Sequence, residues 1–343
     1  MKPLVSVIVP CRNEQSFIER SLDSILASDY PRLEVIVADG MSTDRTRELL
    51  LDRAARDPRL RIIDNPERIT PVALNRAIAA STGEVVLRFD AHAVMPADYI
   101  RRSVELLYSS GAQNAGGSIR TLPRSDGPFA GPIVAVLGSR FGVGNSSFRV
   151  KSGETGPRPA DTVFGGCWRR EVFSRIGGFN EKLARSQDIE FNLRLARAGG
   201  TIVLDPDIVC DYLARADLAS FLAHNFSNGV WAVLPFAFSE IVPVRPRHLI
   251  PLVFVTSLVV SWLLLPFPWS IGVALAYAAA NLAASTRIAL GCRRPAYLAL
   301  MPTAFACLHL AYGLGSAWGC LKLAANKLAP SSGAPPTEAR RLQ

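Results

Sequence analysis

For its first ninety or so residues the chain alternates short apolar runs with segments of helical period. Leu4 to Val9 is a β-branched run closed by Pro10, and Phe17, Ile18, Leu22, Ile25 and Leu26 then recur at helical spacing as far as Ser28. A Val/Ile-rich run of that length reads as a buried strand, and the three-to-four spacing reads as one face of a helix. Leu33 to Ala38 and Leu60 to Ile63 repeat the strand pattern, with a helix between them carried by Arg47, Leu49, Leu50 and Ala54. Ser42 or Thr43 stands where it could N-cap that helix. Pro71 to Ala80 reads as a further helix and Glu84 to Phe89 as a fourth strand. Strands alternating with helices predict a mostly parallel α/β sheet, with ligands at the carboxyl ends of the strands.

The pattern changes after Ser239, and from Leu249 to Leu323 the chain is nearly all apolar. Leu249 to Phe267 is long enough to cross a hydrocarbon core of ~30 Å, which takes ~20 residues. A second stretch runs from Trp269 to Leu290, broken by Asn281 and Arg287, and a third from Ala296 to Leu321. Gly313, Gly315 and Gly319 read as loosening the third, which then either spans or is re-entrant. The expected organisation is an α/β domain over 1–240, a membrane anchor of two or three helices over 241–325, and a disordered Pro/Ser/Gly-rich tail over 326–343. Residues 232–241 read as interfacial, and Phe129 to Pro159 as a long mobile loop whose length favours function over mere connection.

Composition narrows the class. A hydrophobic fraction of 49% and a mean hydropathy of +0.20 are high for a soluble protein, and the apolar tail supplies the excess. The net charge of +9 comes from dispersed arginines without an aromatic-interleaved basic stripe, so nucleic acid is not the expected partner. Anionic phosphates and an anionic membrane surface account for the charge. Arg245, Arg247, Arg293 and Arg294 flank the apolar stretches and by the positive-inside rule put the α/β domain in the cytoplasm. The expected location is the inner (plasma) membrane. The six cysteines include no C-x-x-C pair, which argues against a zinc site and for free thiols in a reducing compartment. The N-terminal apolar run is too short for a secretory signal and reads as the first strand.

Three polar loops follow predicted strands: Cys11-Arg-Asn-Glu14, Asp39-Gly-Met-Ser-Thr-Asp44 and Asp90-Ala-His92. A strand ending in an acid and a second ligand-type side chain one residue apart can hold a divalent cation, and hard ions with few protein ligands are completed by substrate phosphates. Imidazole is a softer donor than carboxylate, so His92 favours Mn²⁺ over Mg²⁺. With its ordinary pKa of ~6.5, His92 would let metal binding fall off in acid. No G-x-G-x-x-G follows the first strand and no P-loop motif occurs, so metal and arginines are left to neutralise the phosphates. Asp188 precedes a helical face of Ile189, Leu193 and Ala196, where it is either a cap, with Ser186 its neighbour, or a general base.

Pro10-Cys-Arg-Asn-Glu14, Asp39-Gly-Met-Ser-Thr-Asp44-Arg-Thr, Asp90-Ala-His92 and Gln187-Asp188-Ile-Glu-Phe occur in this order. In this the chain resembles a family 2 glycosyltransferase of the GT-A fold over roughly residues 4–231. The form Asp-Ala-His-Ala, with Phe141-Gly-Val-Gly-Asn145 and Gly177-Gly-Phe-Asn-Glu181 downstream, looks most like the succinoglycan-biosynthesis ExoA type. The resemblance implies that Pro10, Arg12 and Glu14 line the nucleotide, that Asp39 accepts from the base (commonly uracil), and that Arg68 and Asn75 close over ribose and phosphates. Asp44 lies in the same loop and reads rather as a turn or cap residue. Asp90 and His92 take the D-x-D position and Asp188 that of the catalytic base, with Glu190 the weaker alternative. On the acceptor side, Gly165 and Gly166 would let the backbone approach a sugar and Trp168 would stack on it, unless this is a plain strand-to-helix turn. The Q-x-x-R-W region maps to His224–Trp231, where only Trp231 survives and Val230 replaces a basic residue, which argues against processive polymerisation.

The resemblance therefore implies an inverting, metal-dependent transferase using a nucleotide-sugar donor, a UDP-sugar first, and a polyprenyl-diphosphate-linked acceptor at the membrane. Two alternatives stay open at this point: a polyprenyl-phosphate glycosyltransferase, and a catalytically silent scaffold of a polysaccharide synthase.

Overall fold

In the computed structural model, described for residues 2–328 apart from 151, 152, 154, 238, 265 and 266, the apolar runs near the N-terminus become a parallel sheet. In chain order the elements begin β1 (Val5–Cys11), α1 (Ile18–Leu26), β2 (Leu33–Asp39), α2 (Thr46–Arg56), β3 (Leu60–Asp64), α3 (Thr70–Ala80) and β4 (Val85–Arg88). There follow β5 (Ala93–Val94), α4 (Tyr99–Ser109), β6 (Asn114–Pro123), α5 (Ala130–Leu137), α6 (Arg140–Val143), β7 (Arg158–Pro159) and β8 (Cys167–Arg169). The rest are α7 (Glu171–Ile176), α8 (Gln187–Arg197), β9 (Ile202–Ala214), α9 (Leu218–Val233), α10 (Pro246–Leu264), α11 (Phe267–Cys292) and α12 (Tyr297–Leu328).

The described residues fall into two compact units, residues 1–120 with 147–213, and residues 121–146 with 214–343. The sheet runs β3-β2-β1-β4-β8-β6-β9-β5, with β7 beside β9. The first four strands are parallel: Val7 sits opposite Val35 on one side and Leu87 on the other, and β3 pairs with β2. Strand β8 then pairs antiparallel with β4. Strands covered on both faces must be apolar throughout, and Val5, Val7, Ile8 and Val9 are fully buried. Helix α1 turns Ile18, Leu22, Ile25 and Leu26 into the core on one side of this sheet. Ala73, Leu74 and Ala77 of α3 pack on the other side with Trp168 and Phe191.

In the second unit α5, α9 and α12 bury Ile133, Val136, Phe221, Met301, Ala304 and Phe305 in a core of their own. Helices α10, α11 and α12 each contain a segment long and apolar enough to cross a membrane. Their outward faces carry exposed Ile250, Val253, Trp262, Leu275 and Leu290, which a soluble protein would not leave in contact with water in such number.

Three expectations change here. The helix after β2 starts at Thr46 with Arg45 at its N-cap, without a side-chain cap, because Ser42 and Thr43 are engaged by Asp39 and Asn13 instead. Phe129 to Pro159 is not one loop: its first part folds into α5 and α6, since Ala130-Gly-Pro-Ile-Val-Ala-Val-Leu137 supplies an apolar face. The glycines of the third apolar stretch do not loosen it, because α12 is continuous over 32 residues. A Cβ at Gly313 would collide with Pro251 and Val255, and one at Gly315 with the Phe226 carbonyl. These glycines let helices approach closely, as small residues do between membrane helices. The tail beyond Leu328 lies outside the described residues.

Candidate active site

The carboxyl ends of β1 and β2 are joined directly. Cys11 stands opposite Asp39, and the Gly40 amide donates to the Cys11 carbonyl at 2.7 Å. The two loops that follow are then stitched side chain to backbone. Asn13 donates its amide to Ser42 Oγ and accepts the Thr43 amide, and the Glu14 amide donates to Thr46 Oγ1 at 2.7 Å. Asp44 accepts from the amides of Thr46 and Gln15. Although burial opposes it, the Thr46 bonds keep its carboxyl below the usual range. Asp44 thus serves as a turn residue that joins the loops after β1 and β2.

Asp39 is 1% exposed. Its carboxylate accepts the Ser42 hydroxyl at 2.6 Å and faces Arg47 at 3.4 Å. Pro10 is half-buried at the end of β1, and Arg12 lays its stem on Gly40 with a buried Nε that has no hydrogen-bond partner. Arg68 is exposed after β3. Asn13, Met41, Arg68 and Ser186 all adopt left-handed backbone angles. Outside glycine that conformation is disfavoured and concentrates at functional loops; here it falls in the loops after β1, β2 and β3 and at the start of α8.

At the end of β4, Asp90 Oδ1 accepts from Arg88 Nη2 at 3.0 Å, with the two side chains 16% and 12% exposed. Against the effect of burial, the charges of Arg88, His92 and Arg149 hold the Asp90 carboxyl below its ordinary range. Against the effect of burial, the charges of Asp90, Asp188 and Tyr212 favour the charged form of Arg88. His92 Nδ1 lies 2.9 Å from Glu14 Oε1, and its ring meets Tyr212 edge-on at 5.1 Å between centroids. Burial works against the imidazolium, but Tyr212 and Glu14 outweigh it and raise the His92 pKa to about 9. The fall-off expected for an imidazole of ordinary pKa therefore moves to higher pH. Arg149 lies over the Tyr212 ring at 5.2 Å, with a buried Nη1 that has no partner.

Among the described residues no three or more His, Cys, Asp or Glu side chains form a cluster able to hold a metal by themselves. Asp90 with His92 suits an ion that arrives with phosphate oxygens, as a hard divalent cation needs few protein ligands when substrate completes its shell.

Asp188 lies in the first turn of α8, half-buried, and accepts from the Ile189 amide at 2.9 Å. Arg194 grips both oxygens of Glu190, at 2.7 and 2.9 Å. Arg194 in turn holds the carbonyls of Ile176 and Gly178.

Other expected site residues serve the scaffold. Asn75 donates to the Phe179 carbonyl and Glu181 and accepts the Phe179 amide at 2.8 Å. Its amide group is committed to the Gly177–Glu181 turn. Trp168 is 2% exposed and packs edge-on against Phe173, Phe179 and Phe191, so its ring offers no face to a sugar. Gly165 and Gly166, both at positive φ, make room for the Arg88 carbonyl and the Trp168 ring. Trp231 belongs to the second unit and is buried in α9. Arg88 and Arg149 are the site residues that sequence reasoning missed. The signal for Arg88 was a cation inside an otherwise apolar strand, two residues before Asp90 and so on its side of the strand.

Comparisons with known proteins establish the family and the fold. Residues 6–176 match the model of glycosyl transferase family 2. The chain is 32% identical to the succinoglycan biosynthesis protein ExoA of Rhizobium meliloti, over 90% of this chain and 92% of that one. It is 27% identical to a dolichyl N-acetyl-α-D-glucosaminyl phosphate 3-β-D-2,3-diacetamido-2,3-dideoxy-β-D-glucuronosyltransferase of Methanococcus voltae, over 66% and 71% of the two chains. Among solved structures, the mannosyltransferase PcManGT of Pyrobaculum calidifontis, in complex with GDP-Man and Mn²⁺, superposes with a TM-score of 0.56 at 25% identity. That superposition covers 93% of this chain and 88% of the other. The fold is that of a GT-A-type glycosyltransferase, and the chain belongs to glycosyl transferase family 2.

Proposed function

We propose that the protein transfers a sugar, with inversion, from a nucleoside diphosphate sugar to a membrane-associated, polyprenyl-diphosphate-linked acceptor in polysaccharide assembly. The observation that carries this reading is that the loops after β1, β2 and β4 meet at the carboxyl ends of neighbouring parallel strands: Cys11 stands opposite Asp39, and His92 Nδ1 lies 2.9 Å from Glu14 Oε1. Asp39 receives the base of the donor, UDP-sugar being the first expectation. Pro10, Arg12 and Arg68 line the nucleotide.

Asp90, with His92 oriented by Glu14, holds a divalent cation, Mn²⁺ or Mg²⁺, on the donor diphosphate. When bound, that ion supplies charge stabilisation to the departing nucleoside diphosphate. Asp188 takes the proton of the acceptor hydroxyl. Such general-base help is worth ~10²–10⁴ in rate. The similarity to a mannosyltransferase bound to GDP-Man and Mn²⁺ supports the metal and the donor class, while leaving UDP and GDP as competing nucleotides. The apolar helices α10 to α12 hold the enzyme in the inner membrane, with Arg245, Arg247, Arg293 and Arg294 on the cytoplasmic side by the positive-inside rule.

A second reading is favoured by the relative whose substrate is a dolichyl-phosphate-linked sugar: the acceptor here is then a monophosphate-linked saccharide. A thermal-shift panel of UDP-, GDP- and dTDP-sugars with and without Mn²⁺ tests the donor. Metal-dependent stabilisation by one nucleotide class is expected; none by any class overturns the reading. Mass analysis of the lipid product separates diphosphate from monophosphate acceptors.

A further inference from the structure

We infer that Arg88 holds the place of the divalent cation in the ligand-free protein and gives up Asp90 when a metal and a nucleotide bind as a pair. The inference rests on the proposed role of Asp90 at the metal-bound diphosphate. It makes Arg88 a positioning residue that renders metal binding conditional on nucleotide.

Arg88 and Asp90 are little exposed, and their charges meet at 3.0 Å. Ions withdrawn from water this far must be matched, because an uncompensated buried charge is strongly destabilising. In the absence of a metal the carboxylate of Asp90 therefore needs a resident cation, and Arg88 is that cation.

The geometry of the pair is that of an exchangeable contact. A guanidinium that serves as a permanent brace frequently binds a carboxylate with both arms. Arg194 does so, gripping both oxygens of Glu190 while also holding two backbone carbonyls. Arg88 instead reaches Asp90 through Nη2 alone, and its buried Nε has no partner.

Electrostatics then sets the order of events. Asp90 already pairs with the Arg88 guanidinium at 3.0 Å, and the Arg149 charge acts on it as well. A bare divalent ion placed on Asp90 would meet these positive charges at short range in a weakly screened site. A nucleoside diphosphate brings compensating negative charge and lets the ion and the guanidinium coexist. The metal by itself should bind poorly, and removing Arg88 should relieve that restriction.

The test is Mn²⁺ binding to the full-length protein in detergent without nucleotide, read from the free-Mn²⁺ electron paramagnetic resonance signal and from the melting temperature. Arg88→Met is expected to tighten Mn²⁺ alone by on the order of tenfold or more, as loss of a unit charge at this range implies. It should also melt lower than the wild type without metal and recover with Mn²⁺. Arg88→Lys keeps the charge and is expected to keep Mn²⁺ binding weak. Should Arg88→Met not fold, Arg88→Gln carries the same comparison. A folded neutral variant that binds Mn²⁺ no better than the wild type overturns the inference, since a merely bracing arginine would lower stability without improving metal affinity. Asp90→Asn separates this outcome from failure of the functional reading. If it removes Mn²⁺ binding in the presence of UDP or GDP while the Arg88 variants gain nothing, only the place-holding role falls. If it leaves Mn²⁺ binding intact, the role of Asp90 falls and that of Arg88 with it.

Discussion

His92 Nδ1 lies 2.9 Å from Glu14 Oε1, tying the end of β4 to the loop after β1 across 78 residues of chain. The resemblance implies that Glu14 lines the nucleotide, and the structure adds that it lies against an imidazole it can orient. Partners of this kind fix the ring and tune its basicity, and their loss commonly costs ~10–100-fold in metal affinity. Glu14→Gln is expected to weaken Mn²⁺ binding in the presence of nucleotide by about that factor. Unchanged Mn²⁺ titrations would remove Glu14 from the metal side.

The same pair predicts a pH dependence. The His92 pKa is raised to about 9, above its ordinary ~6.5, so folding favours the protonated ring. The stabilisation is complete below pH ~6.5 and is lost as pH rises through about 9. The melting temperature of the ligand-free wild type should therefore fall across that window more steeply than that of Glu14→Gln. Parallel curves for the two proteins would count against the pairing.

Asp188→Asn should keep the fold and bind donor with near-normal affinity, while turnover drops by ~10²–10⁴. Glu190→Gln should behave differently. It loosens the Arg194 clamp and lowers the melting temperature, with a smaller effect on the rate per folded molecule. Rate and thermal stability measured together on both variants decide between base and brace.

Trp168 and Asn75 are placed by the structure in the scaffold. Trp168→Ala should destabilise by about 3–5 kcal/mol, the usual cost of deleting a large buried aromatic. Asn75→Ala, which strands the Phe179 amide and carbonyl, should cost about 1–3 kcal/mol. Denaturant unfolding checks both. A Trp168 variant that folds normally but loses acceptor binding would restore the stacking role.

Gly229 of α9 faces the Tyr312 carbonyl of α12 so closely that a Cβ would collide with it, and Ser316 donates to the Gly229 carbonyl at 3.1 Å. Gly229→Val should force these helices apart, lowering thermal stability in detergent. Gly272, which has open space around it, should accept the same change. Size-exclusion profiles after heating would show the contrast.

The parallel half of the sheet was legible because each strand and helix there announces itself locally, through a β-branched run or a helical stripe such as Ile18, Leu22, Ile25 and Leu26. The antiparallel half was not. Strand β8 is three residues long and its partners lie far along the chain, so no local period marks it. The acids Asp39, Asp90 and Asp188 could be picked out by type and order. The burial of Trp168 could not, since an aromatic beside paired glycines is written the same way whether it faces a ligand or a core.

By itself the sequence determined the alternation of strands and helices, the apolar helices that follow, and the order of acidic motifs at strand ends. These depend on short-range propensity and on periodicity, which are written in neighbouring residues. Only the tertiary structure decided what each polar side chain faces. It paired Arg88 with Asp90, turned Glu14 to His92, and committed Asn75 and Glu190 to backbone and to Arg194. Such pairings depend on which distant charges share a site withdrawn from water, where an unmatched charge is too costly to persist, and no local pattern encodes that.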